Sequence, residues 1–591
     1  MSGTGARGAR PPRRAVVVLA LAAATGCAGL PRSGPVVAGS RVQADPRLGL
    51  LQVVPKGPVD GAGPVEVVRG FLLAAAAGAA EKAVAREFLS VPARRTWRPD
   101  VSTTVLGEDP AVELTDGPHP DGTASVRVSA PALADVDAGG RYAQRPPGAR
   151  LERTLHLVRE DGCWRVDVPG DGLLLTQLDA ARSLRPFPVH FATTAGAAQL
   201  VGDVRWFAYD SSTATRVVTE LLAGPSAWLA PAVRSGAPAG TGLRTGTVPL
   251  SGAVAVVDLT APALRTTPEQ RALLLAQLRA GLTRLPGVEE VAVRVEGAEL
   301  TREAGPSPLG DPPGAPPVPD PRLVLAGPAG PSRWAAGAVR PVQGLSAPGA
   351  AAGVEHPAAA GDGSCWAWLV RGGATLVVQR SAAGGAGPAV SLGAGSVAGA
   401  AQGFAPPSID RHGWVWAVPS APGAAPAVLP SADPRTAPSA VEPPAGGLGG
   451  RVVRARASRE GARLLVLAED GEGVVRVRVH AVVRGADGRP ARLGAPSPEL
   501  VPGAGRVLDA SWLGQDRVAV LVRPAGEDPV VLLVQVLGPS RRLAPVPGAE
   551  SVAAGASEHD LVVGTADGRL LVRSGAGWSP LAPGRHPSYP G

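Results

Sequence analysis

From Arg322 to Gly591 the chain contains scarcely one apolar run with a helical period. Instead, short turn-forming clusters stand directly before strand-like runs. Asp362-Gly363-Ser364 precedes Cys365-Trp366-Ala367-Trp368, and Ser408-Ile409-Asp410-Arg411-His412-Gly413 precedes Trp414-Val415-Trp416. Ser458-Arg459-Glu460-Gly461 precedes Arg463–Leu467, Asp509-Ala510-Ser511-Trp512 precedes Arg517–Val522, and Thr565-Ala566-Asp567-Gly568 precedes Arg569–Val572. Ser408, Ser458 and Ser511 recur at intervals of about 50 positions, and such a period with several strands per unit marks a β-propeller. Residues 322–591 then have room for about five or six blades. A pair of β-sandwiches is the competing architecture.

The segment 303–321, reading EAGPSPLGDPPGAPPVPDP, divides this half from the rest. Its proline density makes it an extended, semi-rigid linker. Before it, residues 191–302 alternate strands and helices. Gln199–Tyr209 reads as strands, with Asp203 near their turn, and Ala255–Leu259 as another strand. Thr213–Leu222 is an amphipathic helix stopped by Gly224-Pro225. Thr267-Pro268-Glu269-Gln270 opens a longer helix with a capping threonine and proline in its first turn. That helix should bury Leu273, Leu274, Leu278 and Leu282 and break at Pro286-Gly287, before a closing strand Val291–Val295.

Residues 63–190 predict an α+β module. Val67, Val68, Phe71 and Leu72 give one apolar helical face, a second helix runs over Glu81–Phe88, and alternating strands follow from Trp97 to about Pro169. Trp164, just after the turn Asp161-Gly162, should pack under the helices. Residues 27–62 lack periodicity and read as a tether.

The N-terminus has the order of an export signal. Arg7, Arg10, Arg13 and Arg14 precede the apolar run Ala15–Ala24, which is shorter than the roughly 20 residues a membrane span needs. Ala24-Thr25-Gly26 and then Cys27 resemble a lipobox, with alanine at 24 where leucine is usual. Residues 1–26 are thus the expected signal peptide, and Cys27 the expected lipidated first residue of the mature chain. Stable anchoring takes more than one acyl chain. Arg13-Arg14 also permits a twin-arginine reading, which the residues after them fit poorly. The other two cysteines, Cys163 and Cys365, are expected to be buried, unpaired thiols.

The chain is basic, with pI near 10.2, yet Lys56 and Lys82 are its only lysines. Its arginines are spread along the sequence and are not clustered with stacking aromatics, which argues against nucleic-acid binding. Weak attraction to anionic lipid or cell-wall polymer stays open.

Motifs for catalysis are missing. There is no G-x-S-x-G, H-E-x-x-H, G-x-x-x-x-G-K-[ST] or paired C-x-x-C. The histidines (119, 156, 190, 356, 412, 480, 559 and 586) lack the spacing of metal ligands. Ser408–Trp416 resembles the Asp-box of sialidase propellers with one residue too many, and Ser458–Gly461 resembles the S-x-D-G turn of TolB-like propellers. Both are hairpin staples, not active sites. Asp258, the one acid in an apolar strand, is expected to bond a neighbouring turn. No catalytic residue, metal or cofactor is predicted.

Taken in order, these parts resemble the actinobacterial LpqB lipoprotein family over nearly the full chain. Leu221–Pro225 (LLAGP), Val256–Leu259 (VVDL) and Leu285–Val288 (LPGV) are similar to a GerMN domain. The end from Asp567-Gly568 through Trp578 to Tyr589-Pro590-Gly591 resembles that family's terminus. The resemblance implies a nuclear-transport-factor-like first domain, a GerMN second domain and a C-terminal propeller. It implies Cys27 bearing S-linked diacylglycerol and an N-linked palmitoyl group at the outer face of the plasma membrane. It also implies a non-enzymatic partner of the extracellular part of the sensor kinase MtrB, in the MtrA–MtrB system that governs cell-wall homeostasis and division. The competing expectation is a cell-wall protein that binds or hydrolyses peptidoglycan.

Overall fold

The computed structural model describes Gly3 and residues 55–590, apart from 78–81, 196–197, 301–319, 346–352 and 383–384. The signal peptide, Cys27, most of the tether and most of the proline-rich linker lie outside the described residues.

The first module opens with the helix Pro64–Ala76, whose Gly63 N–H donates to the Glu66 carboxylate at 2.9 Å. Short helices Lys82–Glu87 and Val91–Thr96 follow. The 15-residue strand Thr123–Asp137 organises the sheet. One half of it pairs with Ala111–Asp116 and Arg150–Glu160, the other with Ser102–Leu106 and Tyr142–Gln144. Its strict alternation of buried and outward residues keeps Val126 and Val128 on the helix-covered face. Trp164 lies in that core with Val67, Phe71 and Trp97. Cys163, next to it, points the other way and is only half-buried, unlike Cys365. Strand alternation forces this, because inward Trp164 leaves its neighbour outward.

In the second module the helix Pro268–Leu282 connects the parallel strands Val254–Leu259 and Glu290–Val295. Its capping box is complete: Thr267 Oγ1 accepts from Gln270 N, and Gln270 Oε1 accepts from Thr267 N. Leu273, Leu274, Leu278 and Leu282 are all buried, each worth about 2 kcal/mol over exposure. The helix Thr213–Ala223 ends at Gly224, whose φ of 95° favours glycine. The antiparallel pair Leu184–Thr193 and Leu200–Ala208 runs across the expected division at residue 190. Asp203 sits inside the second of these strands, not at a turn.

Six antiparallel sheets follow. They begin with the strands Val324–Gly327, Glu355–Ala359, Ser408–Ile409, Arg451–Ala457, Arg506–Leu513 and Ala549–Ala553, and are numbered one to six here. Arg585–Ser588, from the end of the chain, pairs with Val324–Gly327 and so completes sheet one. Serines tie neighbouring inner strands together. Ser408 Oγ accepts from Ala457 N at 3.1 Å, Ser511 Oγ accepts from Ala554 N at 3.2 Å, and Ser588 Oγ donates to Pro357 O at 2.7 Å.

Several histidines are folded in as neutral rings. Burial pushes His190 down to about 3, and burial with a nearby arginine brings His412 and His586 to about 4. The unfolded chain binds these protons near pH 6.5. Between pH 6.5 and about 4 the unfolded state therefore holds more protons, so stability is complete above pH 6.5 and falls as pH drops through that window. Fully buried His190 alone should cost about 1.4 kcal/mol per pH unit there. Denaturant titrations at pH 7, 6 and 5 should show this decline, and His190→Leu should make it shallower while His412 and His586 sustain the rest. An unchanged midpoint from pH 7 to 5 would contradict the assignment.

Candidate interaction site at the module junction

The indole of Trp206, half-buried on the strand Leu200–Ala208, meets all three parts of the molecule. Its Nε1 donates to Leu537 O in the six-sheet domain at 2.9 Å. Its backbone N–H donates to Gly140 O of the first module at 2.7 Å, and its ring lies 5.8 Å from that of Tyr142. Gln144 Nε2 of the first module donates to Gly538 O at 3.1 Å, beside Leu537. Gly538 is required by closeness: a Cβ there would stand 2.7 Å from the Trp206 ring.

Elsewhere the larger apolar core of the second module is continuous with that of the sheets, while a small cluster of Ala192, Ala198, Leu200 and Leu273 stays within the module. One apolar cluster runs from Phe187, Val217 and Leu278 through Trp228 and Leu229 to Leu465, Val479 and Val520 of sheets four and five. Polar ties reach the first module. Arg141 lies 3.3 Å from Glu220, which also pairs with fully buried Arg205 at 3.2 Å. Arg205 in turn pairs with Asp203 at 2.8 Å, and the N–H and hydroxyl of Ser226 donate to the same carboxylate.

Beside Trp206 opens a cleft of about 710 Å³, walled by Tyr142, Arg145, Pro147, Pro502, Pro539 and Arg541. Arg145 is engaged with Asp135 and Arg541 with Glu558, each at 2.6 Å, and Arg150 also stands on the wall. Burial pushes the Tyr142 hydroxyl up to about 12. Rigid prolines and aromatic faces with mostly paired charges suit contact with a partner's side chains.

The acids singled out from sequence are structural. Asp258 accepts from Arg244 Nε at 2.6 Å and from the turn residue Gly297 at 3.1 Å. Asp410 accepts from the N–H groups of His412 and Trp414, from the Trp416 indole, and from Arg484 at 2.7 Å. Glu460 accepts from Ser458 and from Arg463 at 2.7 Å. Cys365 is buried with its thiol pushed up to about 12.

The histidines are scattered in the sequence, but the fold stacks His356 on His586 with ring centroids 3.8 Å apart, where sheet two meets the strand Arg585–Ser588 of sheet one. Both have positive φ, 48° and 49°, and both precede proline. That shared His-Pro step was the signal available in the sequence. Arg454 Nη1 lies 3.3 Å from His356 Nδ1, and Arg454 pairs with buried Asp509 at 2.7 Å. Among the described residues no group of histidine, cysteine and acidic side chains could hold a metal ion.

Trp206→Ala should lose about 2 kcal/mol and split unfolding into two transitions, and Gly538→Val should do the same by crowding the ring. Scanning calorimetry reads both, and a single unshifted transition would refute the joint. Asp410→Ala should cost about 3–5 kcal/mol, because it leaves Arg484 buried without its carboxylate.

Three family models match in chain order. The N-terminal domain model of lipoprotein LpqB matches residues 57–181, a sporulation and spore germination model matches 188–301, and the LpqB β-propeller domain model matches 332–590. Lipoprotein LpqB of Streptomyces avermitilis is 30% identical over 96% of this chain and 96% of its own length. That of Streptomyces coelicolor is 29% identical over 99% of each. Among solved structures, TolB from Acinetobacter baumannii aligns with 45% of this chain and 65% of its own at 16% identity, with a TM-score of 0.32. No described helix is long and apolar enough to cross a membrane. The end-to-end match to the Streptomyces avermitilis protein, with that family's own domain models at both ends, makes this chain a member of the LpqB lipoprotein family.

Proposed function

We propose that the chain is a non-enzymatic binding lipoprotein, anchored by lipid on Cys27 at the outer face of the plasma membrane, that contacts the extracellular part of MtrB. Through that kinase it influences cell-wall homeostasis and division. The carrying observation is the match to LpqB lipoproteins along 96% of the chain. The geometry is consistent with it, because three modules locked at Trp206 present a single body to a partner. In this reading the first module is nuclear-transport-factor-like and the six sheets are the blades of one propeller. Sheet one is completed by the chain's last strand, and neighbouring inner strands touch in series.

One observation bears on the second reading, a protein that binds or cleaves cell-wall glycan. A cleft of about 630 Å³ at one mouth of the six sheets holds Asp320, Asp362 and Asp410. A hydrolase would need one such acid held protonated. Here Asp320 bonds Arg322 through both oxygens, Asp410 is spent on its turn, and Asp362 is pulled below the usual carboxylate range: burial raises it, and the Ser364 N–H and hydroxyl with nearby Arg322 together outweigh that. The mouth therefore suits binding of a polar polymer better than its cleavage.

The detergent-solubilised full chain should co-purify with the isolated extracellular part of MtrB, and should not sediment with purified peptidoglycan. The reverse pattern would replace the first reading with the second. Cys27→Ala should move the protein out of the detergent phase on partitioning, and retention there would refute the anchor.

A further inference from the structure

The axis of the six sheets buries more positive charge than it neutralises. Arg454 and Arg456, on the first strand of sheet four, share one carboxylate, Asp509. Arg454 takes it at 2.7 Å, leaving Arg456 at 4.0 Å. Arg459, one turn further, is 7% exposed. It donates only to the neutral carbonyls of Gly514 and Ala554, at 2.9 and 3.1 Å. The nearby acids are committed elsewhere, Glu460 to Ser458 and Arg463, Asp560 to Ser557. The Nε atoms of Arg456 and Arg459 are buried without a hydrogen-bond partner.

These two guanidinium groups face one cavity with about 30 Å³ of space, lined also by Ser408, Ser511 and Tyr589. At roughly 15 Å³ per water-sized occupant, it holds two such bodies or one small ion. The hydroxyls of Ser408 and Ser511 already accept a backbone N–H each, which leaves their own protons to donate. Donors thus converge on the cavity from sheets three, four and five and from the end of the chain, and carboxylates do not.

We propose that this cavity binds a small monoanion, a halide or a carboxylate group, between Arg456 and Arg459. Burial of unpaired like charges is costly, and an anion there offsets that cost and joins sheets three, four and five to the end of the chain at one point. Arg459 carries the link outward, since it lines the 630 Å³ mouth as well as the axial cavity. A free halide and the carboxylate end of a larger solute reach the same donors by that route. Burial, with Arg454 beside it, brings Arg456 down to about 10, the direction expected of a cation that lacks a counter-charge.

The test uses the full chain in detergent, with sodium isethionate, a sulfonate that has no carboxylate and is too bulky for this cavity, replaced stepwise by sodium bromide or sodium acetate at constant ionic strength. Bromide should raise the thermal midpoint by about a few degrees and then saturate, as one-site binding requires. An equal ceiling with acetate identifies a carboxylate group as a ligand, and a response to bromide alone identifies a halide site. Arg456→Met should abolish the saturable rise while keeping the isethionate midpoint at or above that of the unaltered protein. If that variant does not fold, bromide-soaked crystals of the unaltered protein decide. An anomalous peak between Arg456 and Arg459 supports the site. A midpoint indifferent to the anion, or ordered arginines with no peak between them, overturns it.

Discussion

The indole of Trp206 is the constraint on which the arrangement of the molecule depends. Tryptophan brings a large apolar face and a single N–H, so a buried position must supply both packing and an acceptor. Leu537 O supplies the acceptor, Tyr142 and Gly538 the packing, and Gly140 the partner for the backbone at the same residue. None of these contacts lies within the second module that carries the tryptophan. The module can therefore satisfy Trp206 only by docking to the other two, and docking fixes both at once. The continuous apolar cluster from Val217 to Val520 then makes separation expensive in area as well.

Local sequence signals were legible where the physics was local. The capping threonine at 267, the stop at Gly224, the leucine face of Pro268–Leu282 and the inward Trp164 all stand where spacing placed them. The structural role of Asp258 and Asp410 was also readable, because turn acids bond nearby N–H groups. What failed were inferences needing long-range pairing. Asp203 looked like a turn residue because Arg205 and Ser226, which neutralise it, gave no sign of being partners. Cys163 was expected inside because its segment is apolar, although alternation with Trp164 sets it outward.

The axial residues show the same limit more sharply. His356 and His586 are 230 positions apart in the chain, and meet only because the last strand returns to the first sheet. No window of sequence contains that return. Arg454, Arg456 and Arg459 looked like ordinary surface charge in an arginine-rich chain, and their burial follows from inner-strand position alone.

Buried and half-buried arginines also fasten the sheets to one another. Arginine forms several directed bonds from one planar group, whereas lysine is a point charge on a flexible stem. Arg484 bonds Asp410 of sheet three together with the carbonyls of Gly461 and Gly488. Arg463 bonds Glu460, reaches Gln515 O of the next sheet, and lies 4.9 Å over the ring of Trp512. Arg459 spans to sheets five and six. Arg517, Arg541 and Arg573 converge on Glu558. In a chain with only 3% aromatic residues, large side chains that could wedge neighbouring sheets together are scarce, and forked arginines serve at the joints instead. Lysine, a single point of charge, could not reach those separated partners at once. Fastening neighbouring sheets is thus one physical use of the chain's many arginines.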